Sequence, residues 1–516
     1  MSNQSINWQL VSDIINPFLL CDGYKTSHPP QYPDGTTFVC SNFTPRSNKY
    51  APQGCEQVVS FGQQMTMIEI HSLFQYGFFS KPKNVVCQEI KREYSLLLGV
   101  NYDVSRIERL HDLGYLPIEV KILEEGTLVP IRVPVLTIKN THPDFFWVTN
   151  FLETIISNLL WKPMTSATIA HSYRKLLSYW QQKTDIGRAW FVDWQAHDFS
   201  MRGMDGIGPS ITSGLGHATS FMGSDTLPVI NGARKYYNAQ GQVIGTVPAT
   251  EHSVMCAGKK DDEVETIRRL FTIYPTGILG VVADTWDLWK VCTQHVRTLK
   301  NEILARDGKL VLRPDSGNPV DIICGHKEFT IVDGKYYTLD NRFMPDRLIE
   351  EKDIPACKGV IELLWEVFGG TINDQGYKVL DTHIGALYGD SITIARAEEI
   401  CQRLADKGFA STNIVLGVGS FTYQFNTRDT FGFAMKATFV IVNGEEREIF
   451  KDPITDDGTK KSATGLGKVI GESGTYELIE KVSMAEEKEG ALKVLYRDGE
   501  FENITTFEEI RKKLII

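Results

Sequence analysis

The sequence predicts an α/β protein that combines an irregular (β/α) barrel with a smaller mixed α+β domain. Its 516 residues exceed what one simple core supports, which indicates two or three domains. Between about residues 190 and 420, short apolar runs alternate with polar, glycine-rich loops and helical segments, as in a parallel sheet that closes into a barrel. Hairpin patterns then return near the C-terminus. We expect residues 166–420 to form the barrel, and residues 1–165 and 421–516 to form the mixed domain.

The composition is that of an ordinary soluble enzyme, with 42% hydrophobic and 23% charged residues. A formal charge of −10 argues against a protein that coats nucleic acid, although local arginines can still bind an anionic small ligand. Nine scattered cysteines without a CxxC pair indicate reduced thiols. The start of the chain lacks a signal-peptide pattern, and its most apolar window, Phe145 to Trp161, favours a core helix over a membrane span. We therefore expect a cytoplasmic protein.

The first part of the chain predicts helices and a small β unit. In chain order, the expected elements are a helix over 8–20, a strand over 36–43, mainly helical structure over 60–112, strands over 118–122 and 131–133, and a helix over about 144–161 that ends before Pro163.

The barrel region predicts strands that end in loops with reactive side chains. The apolar runs are 191–192, 216–221, 243–247, 278–282, 310–312, 379–380, 384–388 and 414–416. Barrels of this kind carry their reactive groups on the loops that follow the strands. Those loops contain His197, Arg202, Asp225, His252, Asp284, Arg313 and Asp315. Alternating runs around Asp-Gly or Asn-Gly pairs predict hairpins within an insertion over about 323–356, and again over 437–450 and 496–501.

Arg313 and Asp315 follow the run 310–312, which Pro314 ends. Residues i and i+2 of an extended segment point the same way, so this pair should face one site. Guanidinium groups match phosphate geometry, and four arginines at loops or strand ends therefore suit a polyanionic ligand. They are Arg46, Arg202, Arg313 and Arg428. The alternative is that they only pair with nearby carboxylates.

His252 follows Glu251 at a predicted strand end. It is either a hydrogen-bonded structural histidine or a nucleophile or base that a carboxylate orients. The absence of an HxxxH pair argues against direct metal binding by histidines, so acidic groups would hold Mg²⁺ through phosphate oxygens. Asp315 is the one side chain that we associate with such an ion.

Two aromatic residues and a glycine pair are further candidates. Phe199 and Tyr24 flank charged residues in loops, where they either pack as ordinary aromatics or sandwich a planar ring. Gly417 and Gly419 lack the third glycine of a dinucleotide fingerprint, but glycines after a strand let backbone N–H groups approach a phosphate. A plain tight turn is the alternative.

Eight ordered segments resemble the nicotinamide phosphoribosyltransferase family. They are Asp22-Gly23-Tyr24-Lys25, Gln31-Tyr32-Pro33, 111–119, His197-Asp198-Phe199, 248–253, 313–319, Thr427-Arg428-Asp429 and Phe450-Lys451-Asp452-Pro453. The resemblance implies a homodimer of type II phosphoribosyltransferase fold. It implies condensation of nicotinamide with phosphoribosyl pyrophosphate to nicotinamide mononucleotide and pyrophosphate in NAD salvage, with Mg²⁺ and with ATP hydrolysis coupled through a phosphohistidine.

The resemblance also implies a role for each matched residue. At the nicotinamide, Phe199 and Tyr24 of the partner subunit would stack on the ring. Asp225 would accept a hydrogen bond from the carboxamide, and Arg313 would lie against the same end. The phosphorylated residue would be His252, supported by Glu251, Asp284 and Asp315. The ribose phosphate would be held by Arg202, Gly389, Asp390, Gly419 and Ser420, and phosphates across the dimer interface by Arg46, Arg428, Lys436 and Lys451.

Three departures from the family pattern stand out. Gly280 and Ala434 each occupy a position where serine is usual, and the segment 460–466 is less basic than the family's loop on the ATP side.

The nearest alternative function is that of a nicotinate phosphoribosyltransferase of the same fold. Asp225 argues against it, because a carboxylate repels the carboxylate of nicotinate. A non-catalytic binding protein on the same barrel is the alternative from another class.

Overall fold

The computed structural model describes residues 16–326, 328–340, 342–453, 455 and 461–515. The chain forms two compact units. The first comprises Met1–Thr168, Gly232–Gln240 and Asn426–Ile515, and the second comprises Ile169–Asn231 and Gly241–Phe425. The sequence pattern places the boundaries after 165 and 420, whereas the units divide after Thr168 and Phe425, and the segment 232–240 belongs to the first unit. Most of the helix expected over 8–20 lies outside the described residues, and its end is the short turn Pro17–Leu19.

The first unit is built on a seven-stranded antiparallel sheet. In spatial order its strands are Glu445–Glu448, Ala434–Val442, Thr36–Thr44, Leu136–Asn140, Ile118–Ile122, Lys493–Arg497 and Glu500–Phe501. Val39, Phe43, Val120 and Ile138 are fully buried, as the alternating sequence pattern requires of a strand with one face on a core. Strands from both ends of the chain thus form one sheet, and the hairpins expected near 443 and 498 are present.

Helices and two small strand pairs complete this unit. The helices are Gln63–Phe74, Lys83–Leu98, Ser105–Leu113, Val148–Phe151 and Phe507–Leu514, together with parts of Glu153–Thr184 and Pro228–Tyr237. The last helix begins with a capping box, in which Thr506 and Glu509 satisfy each other's backbone N–H groups. The strand pairs are Gln57–Val59 with Leu128–Pro130, and Gly467–Ile470 with Glu477–Glu480.

A buried ion network crosses the large sheet of the first unit. Lys121 Nζ lies 2.7 Å from Glu487 Oε1, and these side chains are only 5% and 4% exposed. Lys139 Nζ lies 2.8 Å from the second oxygen of Glu487 and 2.9 Å from Glu119. Each charge therefore has an opposite partner, which offsets the free-energy cost of burying it.

Five parallel strands form most of a barrel in the second unit. In spatial order they are Ala196–Asp198, Ile414–Val418, Ile384–Tyr388, Asp307–Arg313 and Thr276–Val282. Among their side chains, Leu279, Leu310, Leu312 and Leu416 are buried. These positions fall in the apolar runs from which the parallel strands were expected.

Two bridging segments, 223–225 and 243–249, close the ring between the outer strands. Ser224 pairs with Asp198, Gly223 with Gly245, and Ala249 with Gly280, each in parallel orientation. The Thr250 N–H donates to the Gly280 carbonyl over 3.0 Å, which completes the circuit. The predicted irregular (β/α) barrel with a mixed α+β part is confirmed.

Along the chain, helices and a small sheet lie before, between and after the barrel strands. The helices are Val192–Gln195, Ile207–Ala218, His252–Ala257, Glu263–Ile273, Leu288–Lys290, Val296–Thr298, Lys300–Ala305, Pro319–Cys324, Ile354–Lys358, Val360–Phe368, Ile394–Asp406 and Ser420–Gln424. The expected hairpin insertion is a three-stranded sheet of Phe329–Val332, Lys335–Leu339 and Pro345–Leu348. Gly370–Ile372 pairs with Lys378–Leu380.

Several element predictions are wrong. Residues 131–133 form a turn after the strand Leu128–Pro130, and the helix Glu153–Thr184 continues through Pro163. Residues 191–192 are helical, and the strand begins at Ala196. The apolar run 216–221 overlaps the end of a helix, Ile207–Ala218, because a buried helix and a buried strand both show short apolar runs.

The described residues include every cysteine of the chain. All nine cysteines are free thiols. In the described part of the chain, no helix combines the length and the apolar character needed to cross a membrane.

Candidate active site

The candidate site is a cavity of about 350 Å³ within the barrel of the second unit. His197, Phe199, Asp225 and Arg313 line the part near the carboxyl ends of the strands. The apolar wall includes Val247, Val311, Ile384 and Val415, and the part near the amino ends includes Arg188 and Lys309. A mostly apolar cavity with a few converging polar groups is the usual form of a small-molecule site.

Asp225 is fixed by two side chains at this cavity. His197 Nε2 lies 3.1 Å from Asp225 Oδ1, and because a carboxylate only accepts hydrogen bonds, Nε2 carries the proton in this pair. Burial alone would raise the pKa of Asp225. Hydrogen bonds from His197 and Thr246, together with the charge of Arg313, outweigh burial and hold that pKa below its usual range. Asp225 is therefore an ionised acceptor that faces the cavity.

Phe199 presents a ring beside this acceptor. Its ring centroid lies 4.5 Å from that of His197, with the two planes 31° apart. The Phe199 N–H donates to the Val418 carbonyl over 3.0 Å, which ties the residue to the neighbouring strand. One face of the cavity therefore suits a planar aromatic ligand.

Arg313 ends its strand at the same cavity. Its Nη2 donates to the Thr250 carbonyl over 3.2 Å. Its Nε is buried and has no hydrogen-bond partner among the residues that the structure describes. A buried guanidinium donor without a partner favours a ligand that accepts a hydrogen bond there.

His252 begins a helix beside Asp315, one of the three expected acidic residues. Its Nδ1 lies 3.1 Å from Thr285 Oγ1, and its Nε2 lies 3.9 Å from Asp315 Oδ2. The imidazole is about half exposed, with 48% of its side-chain surface accessible. The ring is thus oriented through Nδ1 and leaves Nε2 on the side of a carboxylate.

The other two acidic residues of the set differ in their surroundings. Asp284 Oδ2 accepts from the Asp315 N–H over 2.8 Å and from the Ser316 hydroxyl over 2.5 Å. Its Oδ1 is buried without a partner among the described residues. Glu251 accepts a hydrogen bond from the Ser253 hydroxyl. Asp284 is therefore joined to Asp315, whereas Glu251 is held at the start of the His252 helix.

A magnesium ion fits this site only with help from a ligand. Among the described residues, no group of three or more His, Cys, Asp or Glu side chains has the arrangement to hold a metal ion. The unpartnered Oδ1 of Asp284 is one available oxygen. Mg²⁺ usually takes one or two carboxylates together with phosphate oxygens and water, and this donor set agrees with that mode.

The five residues expected at a ribose phosphate lie close together in the second unit. A Cβ atom at Gly389 would lie 2.5 Å from Asp315 Oδ1, and one at Gly419 would lie 2.3 Å from Asp390 Oδ1. A side chain at either position would displace the neighbouring carboxylate, so these glycines allow the Asp315 and Asp390 carboxyl groups to lie close to the backbone. Gly203, next to the exposed Arg202, packs in the same way against Ser420.

The remaining expected residues belong to the first unit. Arg46 and Lys436 line a cavity of about 240 Å³ there. Lys451 binds Ser462 Oγ through its backbone N–H, and the exposed Arg428 lies 3.5 Å from Asp429. Tyr24 is 58% exposed, with its ring centroid 4.9 Å from that of His28.

His197 and Thr246 are functional candidates that received no role from the sequence. His197 lies two residues before Phe199, so the i, i+2 rule that was applied to Arg313 and Asp315 places it on the same side. Thr246 gives no such signal, because the run 243–247 has the pattern of an ordinary strand. In the structure that run is a bridging segment that turns the threonine hydroxyl toward Asp225.

The serine-to-glycine departure at position 280 has a structural explanation. A Cβ atom at Gly280 would lie 3.0 Å from the Cβ of Ala249, closer than ordinary van der Waals contact allows. Gly280 also lines the cavity. A side chain here would press against Ala249, and its absence leaves open volume in the cavity beside Asp225 and Phe199.

Comparisons with known proteins agree with this fold. Residues 194–498 match the model of the nicotinate phosphoribosyltransferase (NAPRTase) family. Among solved structures, nicotinate-nucleotide pyrophosphorylase from Pyrococcus furiosus has a TM-score of 0.53 at 16% identity, covering 100% of this chain and 97% of that one. Human nicotinic acid phosphoribosyltransferase has a TM-score of 0.51 at 14% identity, covering 96% and 92%. These two structures support the fold alone.

Sequence relatives carry the comparison further. A nicotinamide phosphoribosyltransferase of Acinetobacter baylyi is 47% identical over 512 residues, which is 97% of both chains. Proteins of the same name from Mycoplasma pneumoniae and Xanthomonas campestris pv. campestris are 33% and 30% identical, covering 87% and 96% of this chain and 94% and 97% of theirs. The resemblance drawn from the sequence motifs is confirmed. The chain belongs to the nicotinate phosphoribosyltransferase family and is a pentosyltransferase.

Proposed function

We propose that the protein condenses nicotinamide with phosphoribosyl pyrophosphate, giving nicotinamide mononucleotide and pyrophosphate, in NAD salvage. The observation that carries this proposal is the ionised Asp225 carboxylate beside the Phe199 ring in the barrel cavity. The names of the sequence relatives support the same substrate.

Asp225 favours the amide over the acid. A fixed carboxylate accepts a hydrogen bond from the N–H₂ of a carboxamide, and it repels the carboxylate of nicotinate at the same distance. The unpartnered Nε of Arg313 is available to the carbonyl oxygen of the same carboxamide. Acceptor and donor together match the two ends of one amide group.

The remaining groups of the second unit suit the transfer step. The pyridine nitrogen of nicotinamide attacks C1 of the ribose, the C1–O bond breaks, and pyrophosphate leaves with the bonding electrons. Positive charge develops on the ribosyl centre, where Asp315 would stabilise it. Arg202 and the backbone at Gly389, Asp390, Gly419 and Ser420 would hold the ribose phosphate. Mg²⁺ would neutralise the leaving pyrophosphate.

We assign ATP coupling to His252. Its Nδ1 contacts Thr285, which leaves Nε2 to attack the γ-phosphorus of ATP, with ADP as the leaving group. Water later hydrolyses the phosphohistidine to phosphate. Asp315 lies on the Nε2 side, Asp284 is joined to Asp315, and Glu251 directly precedes the helix and accepts a hydrogen bond from Ser253.

We assign the first-unit residues to a second copy of the chain. In a homodimer, Tyr24 of the partner subunit would stack on the opposite face of nicotinamide, and phosphates would be bound by Arg46, Arg428, Lys436 and Lys451 of the partner subunit. Tyr24 is exposed, as a residue that completes another copy's site must be. The substrates and the free thiols agree with a cytoplasmic enzyme.

The direct test mixes purified protein with phosphoribosyl pyrophosphate and Mg²⁺, with nicotinamide or nicotinate, each with and without ATP, and follows the mononucleotides by chromatography. The proposal requires nicotinamide mononucleotide as the main product and a stimulation by ATP. Preferential formation of the nicotinate product would assign the protein to that other activity. Tight binding of nicotinamide without turnover would instead support the non-catalytic alternative.

A further inference from the structure

The cavity of about 240 Å³ in the first unit is lined by more basic side chains than Arg46 and Lys436, the two to which a role has been assigned. Its four cationic side chains are those of Arg46, Arg132, Lys436 and Lys461. Glu480 is the one carboxylate among the described residues that line it, and its Oε1 accepts from the Thr464 N–H over 2.7 Å. The excess of positive charge in a concave site favours an anionic ligand.

Arg132 occupies a backbone conformation that does not suit an arginine. Its φ is 75°, in the left-handed region. The Val133 N–H donates to the Pro130 carbonyl over 3.2 Å, so Arg132 is the third residue of a tight turn. Turns with a positive φ at this position usually have glycine or asparagine there. A strained residue of this kind persists where the surroundings hold it, and such residues cluster at ligand sites.

The strained turn places Arg132 beside Arg46. The Arg132 N–H donates to the carbonyl of Pro45, the residue that precedes Arg46, over 2.6 Å. Two arginines from separate segments thus enter one cavity from adjacent backbone positions.

Arg132 differs from the other three cations in its side-chain contacts. Arg46 Nε donates to the Gly432 carbonyl over 2.9 Å, Lys436 lies 3.4 Å from Glu153, and Lys461 lies 3.3 Å from Asp452. The guanidinium of Arg132 forms no ion pair or hydrogen bond with any residue in the described ranges. Neither the turn nor the side-chain contacts within the fold therefore explain an arginine at this position.

We propose that Arg132 binds a polyphosphate group of a substrate in this cavity, together with Arg46 and Lys436. The inference rests on the proposed function, which assigns substrate phosphates to the latter two residues. A guanidinium without a partner keeps all its donors for phosphate oxygens. The pyrophosphate of phosphoribosyl pyrophosphate and the triphosphate of ATP share this chemistry.

The test is Arg132→Gly, because glycine adopts the left-handed turn without strain and should leave the melting temperature unchanged or higher. The loss of a charge-assisted contact should raise the KM for the bound substrate by roughly tenfold. One arm varies phosphoribosyl pyrophosphate without ATP, and the other varies ATP at saturating phosphoribosyl pyrophosphate. The arm that changes identifies the source of the polyphosphate. Unchanged KM values in both arms would overturn the proposal.

Lys481→Gly is the matched control. Lys481 also has a left-handed φ of 58° in the first unit, but its Nζ pairs with Glu448 at 2.8 Å and it does not line the cavity. This variant removes a cation and the strain of a left-handed residue together, and both KM values should stay at the wild-type level. Arg132→Lys should recover part of the lost affinity. A KM increase in the control equal to that of Arg132→Gly would contradict a local role for Arg132.

A binding measurement separates this inference from the proposed function. Inorganic tripolyphosphate is titrated calorimetrically into the wild-type protein and into Arg132→Gly. Weaker binding to the variant supports the role of Arg132 even if the wild type forms no mononucleotide, in which case the proposed function fails alone. Equal binding, or no binding to the wild type, overturns the role of Arg132 whatever the enzyme assay shows.

Discussion

His197 Nε2 and Asp225 Oδ1 lie 3.1 Å apart at the barrel cavity. This contact, with Thr246 and the charge of Arg313, keeps Asp225 ionised although burial opposes it. An ionised acceptor at that position distinguishes a carboxamide from a carboxylate. Under the proposed function, this hydrogen bond between two side chains links the barrel to the choice of substrate.

Replacing Asp225 by asparagine should shift the preference toward nicotinate. The substitution removes the negative charge and provides a donor for a carboxylate, so the ratio of kcat/KM for nicotinamide to that for nicotinate should fall by about tenfold or more. Steady-state assays with both substrates measure the ratio. Asp261→Asn, at an exposed aspartate, is the control. An unchanged ratio in Asp225→Asn would remove this residue from the discrimination.

Replacing His197 by alanine should change the pH dependence of nicotinamide use. A carboxylate whose folded pKa is depressed stays ionised to lower pH, and it stabilises the folded state above its unfolded pKa of about 3.9 until the pH falls through the folded value. Without His197, burial raises the pKa of Asp225. The acid limb of kcat/KM should move to higher pH, and a carbon-13 titration of the Asp225 carboxyl should move with it.

His383→Ala is the matched control for that experiment. His383 Nδ1 lies 2.7 Å from Asp381 Oδ1, and the pKa of Asp381 is lowered although burial opposes it, through hydrogen bonds from the backbone and ring of His383. Its removal should leave the Asp225 titration unchanged. Equal shifts in both variants would point to a general loss of structure instead of a local contact.

Replacing His252 by alanine should abolish the stimulation by ATP and leave synthesis at the ATP-free rate. The variant lacks the nitrogen that accepts the phosphoryl group but keeps Phe199, Asp225 and Arg313 in the cavity. Assays with and without ATP test this, together with detection of acid-labile phosphate on the protein. Cys256→Ala, one turn further along the same helix, should keep both. Persistent ATP stimulation in His252→Ala would exclude a phosphohistidine at this position.

Adding a side chain at Gly280 should destabilise the barrel. The 3.0 Å contact with Ala249 must relax, at a cost of about 1–3 kcal/mol in the free energy of unfolding. Gly280→Ala and Gly280→Ser meet the same contact, so the difference between their KM values for nicotinamide reports the serine hydroxyl alone. Urea unfolding measures the stability. Wild-type stability in both variants would show that Ala249 yields freely.

Replacing Glu487 by glutamine should destabilise the first unit strongly. The change leaves Lys121 and Lys139 buried without full charge compensation, which typically costs about 3–5 kcal/mol. Glu445→Gln removes one partner of an exposed pair with Arg447 and should cost no more than about 1 kcal/mol. Denaturant titrations of both variants test the contrast. A small effect at Glu487 would mean that water reaches the network.

Strand ends were the most predictable part of the site, because apolar runs end where polar loops begin. Arg313 and Asp315 lie at such an end, since the run 310–312 is part of a real strand. Phe199 and Asp225 were expected after the runs 191–192 and 216–221, which are largely helical in the structure, and the i, i+2 rule extends to His197. The role of Thr246 was not predictable, because it depends on a bridging segment whose partners, Gly223 and Gly280, lie about 20 and 30 residues away in sequence.

Misassigned elements have a similar cause. A run such as 216–221 is apolar because it is buried, and burial alone does not distinguish the end of a helix from a strand. The turn at Arg132 has no sequence signal, because it lacks glycine or asparagine, the usual sign of a positive φ. Both cases depend on tertiary contacts that local sequence does not encode.

The barrel ring is uneven in its hydrogen bonding, and this has a consequence for its motion. Five strands share continuous ladders, whereas segments 223–225 and 243–249 are joined by isolated bridges. Backbone amides with few such bonds open most readily, so deuterium should enter these two segments before the ladders. Asp225 and Thr246 lie on these two segments, so we expect this side of the barrel wall to adjust to a ligand more than the side with continuous ladders.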